Sequence, residues 1–168
     1  MLLTDFASKY PADGPFIAPA NQDQVRQLGQ ADGVVTLMAA PFPDPVQSTP
    51  GQADGRNLWV FTPADVLAVL ETAPAVNPPL ESGVAKHTNL TGGTPACCGG
   101  ELWVDNVTAA KLWVNGKSGR YWRRSHPNGR SKLEDAVRVF ESLGFEVVSA
   151  GWDEDSDFPA PTFREAPQ

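Results

Sequence analysis

The chain has 168 residues, of which 41% are hydrophobic and 20% charged, values typical of one globular domain with a buried core. No apolar run approaches the ~20 residues that a membrane-spanning helix needs. The N-terminus also lacks the basic and then apolar pattern of a secretory signal. We therefore expect a cytoplasmic protein that does not bind membranes, although a dedicated secretion system could export it without such a signal.

The net charge of −7 is unevenly distributed along the chain. Residues 86–143 carry nine basic and five acidic side chains, whereas the parts before and after them carry net charges of −6 and −5. A basic segment within an acidic protein indicates a local anionic ligand, such as phosphate or RNA, or an acidic protein partner. The alternative is that acidic ends simply cover a basic middle.

The first third of the chain predicts little regular structure. Residues 1–20 contain three prolines and predict a loop, whereas residues 21–29 predict a short helix capped by Asn21. The apolar run 33–40 predicts a buried strand. Four prolines within residues 41–55 predict a long loop or linker.

The tripeptide Leu-Trp-Val occurs three times, at 58–60, 102–104 and 112–114, and predicts three strands of one sheet. The second and third copies are close in sequence and predict an antiparallel hairpin. Polar clusters precede the second copy and follow the third, so we expect both clusters at the same edge of this hairpin.

Two further helices are predicted. Thr62-Pro63-Ala64-Asp65 has the N-cap Thr, the N1 Pro and the early acid of a helix start, so a helix is expected over 62–73. Ser131 and Glu134 form a capping box before a second helix, which Gly144 ends. Residues 145–150 predict a last strand.

Together these elements predict an α+β fold, with a small antiparallel sheet, two or three helices and many loops. We divide the chain into three parts. Residues 1–56 form a loop-rich segment packed on or linked to the core, residues 57–152 form the core, and residues 153–168 form an acidic tail.

The first candidate site surrounds His87, between Lys86 and Thr88 in a polar, loop-like stretch before Gly92. An imidazole near its ordinary pKa can act as a general base or acid at neutral pH. The alternative is a structural histidine that is hydrogen-bonded within the fold.

The second candidate site is the segment Lys117-Ser118-Gly119-Arg120-Tyr121. Lys117 and Arg120 supply positive charge for a phosphate or oxyanion, and Ser118 and Tyr121 offer hydroxyl donors. A turn followed by a packed tyrosine would explain Gly119 and Tyr121 but leaves the two cations without a role.

A basic loop follows this segment. Trp122 offers a stacking platform for a base, and Arg123 and Arg124 extend the positive charge; the alternative is a solvated loop. Other kinds of site are not indicated. His126 lies in a loop before Pro127, the adjacent Cys97 and Cys98 lack zinc-ligand spacing, and no cofactor motif is present.

The pattern His87-Thr88-Asn89-Leu90-Thr91-Gly92-Gly93, then Gly100-Glu101, then Ser118-Gly119-Arg120-Tyr121 resembles a known module. The module occurs in bacterial polymorphic-toxin C-terminal domains and in plant IQ-motif calmodulin-binding proteins. The toxin versions are similar to the compact ribonuclease group typified by barnase, EndoU, colicin nucleases and RelE. The resemblance covers about residues 57–150.

The resemblance implies a fold of helices on an antiparallel sheet and a metal-independent ribonuclease activity. It implies that His87 is an acid/base residue, with Lys117, Ser118, Arg120 and Tyr121 around the scissile phosphate. The sequence departs from the module in having Arg120 where it has histidine, so a two-histidine mechanism does not transfer. Arg120 could only stabilise charge.

Three functions follow from these observations. The first is a ribonuclease that acts as a bacterial toxin or effector, with Lys86, Thr88, Trp122, Arg123 and Arg124 binding RNA. The second is transfer of ADP-ribose from NAD, for which Glu101 or an acid in the tail would be the catalytic glutamate. The third is a non-catalytic module that binds an acidic partner, such as an immunity or carrier protein.

Overall fold

The computed structural model describes residues 1–38, 48, 53–106, 111–122 and 128–151. Within these ranges six strands form one sheet: β1 (Val35–Thr36), β2 (Asn57–Phe61), β3 (Val66–Leu70), β4 (Cys98–Asn106), β5 (Lys111–Asn115) and β6 (Glu146–Gly151). Their spatial order is β1-β3-β2-β4-β5-β6, and all neighbours are antiparallel except β5 and β6. The helices are α1 (Leu3–Lys9), α2 (His87–Thr91) and α3 (Gly129–Ser142). The predicted α+β fold is confirmed.

The three Leu-Trp-Val copies lie on adjacent strands at the centre of the sheet. β4 and β5 pair with Trp103 opposite Trp113, and β2 pairs with β4 with Trp59 opposite Gly100. All five residues of β2 are buried, because the sheet is covered on both faces there. The predicted hairpin and the shared sheet are both confirmed.

One face of the sheet is covered by α1 and α3. The Trp59 ring meets Phe140 of α3 edge to face, with centroids 5.3 Å apart, and Phe61 meets Phe6 of α1 at 5.1 Å. The other face carries Leu58, Val60, Val69, Leu90 and Tyr121 in a second apolar cluster. The N-terminal helix therefore packs into the same core as the central strands.

The helix predicted from Thr62 is wrong, because residues 66–70 form strand β3. Thr62 N donates to Asp65 O at 2.9 Å, and Thr62 Oγ1 accepts from Asp65 N at 2.9 Å, so the four residues close a tight turn. The chain then reverses, and Val66 pairs with Phe61. A threonine cap suits a turn as well as a helix start.

The N-terminal third also departs from its predictions. Residues 1–20 are not all loop, since α1 begins at Leu3. The helix expected over 21–29 is a single 3-10 turn at Asp23–Val25. Of the strand expected over 33–40, residues 33–38 are described, and within them only β1 forms, at the sheet edge. The loop predicted at 41–55 lies mostly outside the described residues, and the acidic tail at 153–168 lies wholly outside them.

Helix α3 connects the parallel strands β5 and β6. It begins at Gly129, two residues before the predicted capping box, and Ser131 Oγ donates to Asn128 O at 3.1 Å instead. Gly144 follows the helix with φ +95°, which confirms the predicted end. No helix in the described ranges is long and apolar enough to cross a membrane.

Candidate functional site

His87 is the first residue of α2, which corrects the expected loop. Asn89 Oδ1 accepts from Lys86 N at 2.8 Å at the start of this helix, and Gly92 ends it with φ +65°. The Asn89 amide also donates to Asp23 O at 2.8 Å and Arg26 O at 2.9 Å. These bonds hold the N-terminal segment against α2.

The His87 ring is held against the start of β4. Its Nε2 lies 2.8 Å from Gly100 O, and a carbonyl can only accept, so Nε2 carries the proton. A Cβ added at Gly99 would lie 3.2 Å from His87 Cδ2 and 3.3 Å from Ser118 Oγ. The missing side chain at Gly99 therefore lets His87 and Ser118 approach the same point.

His87 is neutral near pH 7. Burial lowers the pKa of the imidazole from its ordinary 6.5 to about 4, because desolvation disfavours the charged ring. The Gly100 carbonyl acts against this shift, whereas the positive charges of Arg120 and Lys86 add to it. With the proton on Nε2, Nδ1 keeps a lone pair, and no described residue donates a hydrogen bond to it.

The hydroxyl groups of Ser118 and Tyr121 form hydrogen bonds within the protein. Ser118 is buried, and its Oγ accepts from Tyr121 N at 3.2 Å. The Tyr121 hydroxyl donates to Thr94 O at 2.9 Å and lies 2.6 Å from Thr91 Oγ1. Burial raises the pKa of Tyr121. Its hydroxyl thus ties the turn to the end of α2.

Lys117 belongs to a cluster of charged side chains around the buried Glu101, which no sequence pattern indicated. Glu101 is only 6% exposed, and its Oε1 lies 3.8 Å from both Lys117 Nζ and Arg56 NH1. Asn115 Nδ2 donates to Glu101 Oε2 at 3.0 Å, and Arg56 Nε donates to Glu71 Oε2 at 2.7 Å. The available signal was the acid Glu101 directly before the apolar run Leu102-Trp103-Val104 in β4.

Arg120 contacts the N-terminal segment. One guanidinium nitrogen donates to Ile17 O at 3.1 Å and the other to Gln24 Oε1 at 2.7 Å. Phe16 N donates to Arg120 O at 2.7 Å. The side chain therefore fixes residues 16–24 across the turn, while its charge still acts on His87.

The residues predicted to bind substrate differ in their burial, and two of them are not described. Lys86 is half-buried and forms no ion pair within the described part of the chain. Thr88 is fully buried, and its Oγ1 has no hydrogen-bond partner among those residues. Trp122 is 2% exposed. Arg123 and Arg124, like His126, lie outside the described residues.

Cys97 and Cys98 are buried free thiols, and burial raises the pKa of both. The described residues contain no group of three or more His, Cys, Asp or Glu side chains that could hold a metal ion. Comparison with protein-family models, with curated proteins and with solved structures found no match.

Proposed function

We propose that the chain is a metal-independent ribonuclease in which His87 removes the proton of a 2′-hydroxyl. The observation that carries the proposal is a neutral imidazole whose Nδ1 accepts no hydrogen bond from the described residues. The positive charges of Arg120 and Lys86 act on this ring, and Lys117 precedes Ser118, whose Oγ approaches the same point as His87. This combination suits a base that works beside a phosphate.

Substrate binding would adjust the basicity of His87. A pKa of about 4 keeps the ring unprotonated at neutral pH but makes it a weak base, and burial is the largest cause of this low value. A bound phosphate would offset the charges of Arg120 and Lys86, which are the smaller causes. The pKa would therefore rise only in part when RNA is bound, because the ring stays buried.

The proposed reaction forms a bond between the 2′ oxygen and phosphorus and breaks the bond from phosphorus to the 5′ oxygen. The 2′ proton goes to His87 Nδ1, and water protonates the departing 5′ oxygen. Lys117 stabilises the charge on the phosphorane. The products are an RNA that ends in a 2′,3′-cyclic phosphate and an RNA with a free 5′-hydroxyl.

The test compares a short RNA with the same RNA carrying 2′-O-methyl groups, both in EDTA. The proposal expects cleavage of the first alone, with a cyclic phosphate at the new end. Cleavage of both substrates, or cleavage that stops in EDTA, would contradict it. The resemblance extends the proposal to a toxin or effector with an immunity or carrier protein as partner.

One observation favours the non-catalytic alternative. Ser118 and Tyr121 hydrogen-bond within the protein, and Arg120 holds the N-terminal segment. The turn could then present a fixed basic surface to an acidic partner. RNA binding or acidic-protein binding without cleavage would favour this function over the ribonuclease.

A further inference from the structure

A cleft of about 580 Å³ opens between the end of α1, the loop after it, and the start of α3. Its lining includes three aromatic side chains (Tyr10, Phe16 and Trp122), two lysines (Lys9 and Lys132) and one acid (Asp13). We propose that this cleft binds one nucleotide, with the base against the aromatic side chains and the phosphate on Lys132. The inference rests on the proposed function only in assigning that nucleotide to the RNA substrate.

Of the two described lysines that line the cleft, Lys132 is the one without an ion pair among the described residues. Its Nζ lies 5.3 Å from the Trp122 ring centroid and 5.5 Å from that of Tyr10. It forms no ion pair with any described residue, whereas Lys9 Nζ lies 2.6 Å from Asp135 Oδ2. An ammonium group held over rings, without a carboxylate partner, can accept a phosphate at little electrostatic cost.

The aromatic wall is fixed before a ligand arrives. The Tyr10 hydroxyl donates to Asp135 Oδ2 at 2.9 Å, and Asp135 is 2% exposed. Arg138 donates to the other oxygen of Asp135 at 2.8 Å. The Tyr10 ring therefore has one orientation, and a ligand does not have to order it.

The rings favour a nucleotide over other anions. Every nucleobase has a flat π-face that stacks on aromatic side chains, whereas inorganic phosphate or an acidic peptide gains little from such a wall. Phe16 is half-buried, whereas Tyr10 is 8% exposed and Trp122 is 2% exposed. Phe16 and Lys132 are therefore the residues on which the proposal depends most.

The chain after Ser118 connects the His87 site on one face of the sheet with the cleft on the other face. Trp122 follows Tyr121 directly, and Phe16 N donates to Arg120 O. The four Cα–Cα steps from Ser118 to Trp122 span at most about 14 Å even when fully extended. Ser118, beside His87, and Trp122, in the lining of the cleft, are therefore close along the chain, and an RNA strand in contact with both sites would have to pass round the sheet from one face to the other.

The test measures binding of adenosine 5′-monophosphate, adenosine and inorganic phosphate by amide chemical shifts of the whole protein. The variants are Lys132→Gln, Phe16→Leu and His87→Ala. The matched charge control is Lys111→Gln, since Lys111 lies on β5 and pairs with Glu146 at 3.5 Å. Far-UV circular dichroism checks the fold of each variant, and Lys132→Gln alone suffices if Phe16→Leu does not fold.

We expect the monophosphate to bind more tightly than adenosine or phosphate. Lys132→Gln should weaken it about tenfold, the scale of one lost charged contact, and Phe16→Leu should also weaken it. Lys111→Gln and His87→Ala should bind it like the wild type. Phosphate binding as tightly as the monophosphate, or no effect of Lys132→Gln, would overturn the inference even if RNA is cleaved. Cleft binding without RNA cleavage would support this inference and contradict only the ribonuclease.

Discussion

The Gly100 carbonyl accepts a hydrogen bond from His87 Nε2 at 2.8 Å, across the gap between a short helix and the central strand β4. The bond fixes the tautomer of the ring and leaves Nδ1 as its basic atom. It also places the imidazole on the most buried part of the sheet rather than on a loop. Two consequences follow, one for stability and one for chemistry.

The low pKa of His87 makes stability depend on pH. The unfolded state binds a proton at about pH 6.5 and the folded state only at about pH 4. Stability is therefore fully present above pH 6.5 and falls as the pH drops towards 4, by an amount on the order of 2 kcal/mol. Urea unfolding at pH 7 and at pH 4.5 measures this loss.

His87→Ala is the control for that measurement. It should remove most of the pH dependence in this window, because His87 is the group whose pKa is lowered on folding. Asp135 does not interfere, since Lys9 and Tyr10 outweigh the effect of burial and hold the pKa of its carboxyl below its usual value. An equal slope in both proteins would show that another group titrates.

Tyr121→Phe distinguishes a structural role of the Tyr121 hydroxyl from a catalytic one. The change deletes the hydroxyl that bonds Thr94 O and Thr91 Oγ1, which leaves buried partners unsatisfied and should cost about 1–3 kcal/mol. Cleavage per folded molecule should stay within a few-fold of wild type, because the hydroxyl points inward. A large fall in kcat with unchanged stability would instead make Tyr121 a catalytic residue.

Arg120→Lys should weaken the hold on the N-terminal segment. Lysine keeps the charge but loses the fork that reaches Ile17 O and Gln24, so a cost of about 1 kcal/mol is expected. A double-mutant cycle with Gln24→Ala in urea should give a coupling energy of about 0.5–1 kcal/mol. Strict additivity of the two changes would contradict the contact.

Lys117→Gln tests the cation beside the site. If the ammonium stabilises charge that appears only in the transition state, kcat should fall about ten- to a thousand-fold while RNA affinity changes little. Rapid-quench cleavage and a direct binding titration measure both quantities, with Lys111→Gln as the matched control. A loss confined to affinity would assign Lys117 to docking.

Much of the sheet was predictable because its signals are local. Each Leu-Trp-Val copy has strand-favouring residues in sequence, and Gly144 marks a helix end without any tertiary help. The predictions are wrong where contacts between residues distant in sequence determine the local structure. The Asn89 amide donates to the carbonyl oxygens of Asp23 and Arg26. The helix expected over 21–29 is therefore limited to one turn.

The candidate site was predictable as two polar clusters but not as an arrangement. The sequence indicated that His87 and Ser118 lie at one edge of the hairpin. It did not indicate that the absence of a side chain at Gly99 lets them approach each other. Nor did it indicate that Glu101 Oε1 lies 3.8 Å from Lys117 Nζ and 3.8 Å from Arg56 NH1. These contacts depend on strand register, which no local pattern specifies.

The most direct measurement is single-turnover cleavage of a short RNA in EDTA by wild type and by His87→Ala. Loss of a general base should slow cleavage about 10²–10⁴-fold while circular dichroism and RNA binding stay close to wild type. That result would support His87 Nδ1 as the base. No cleavage by the wild type, or equal rates in both proteins, would contradict the account.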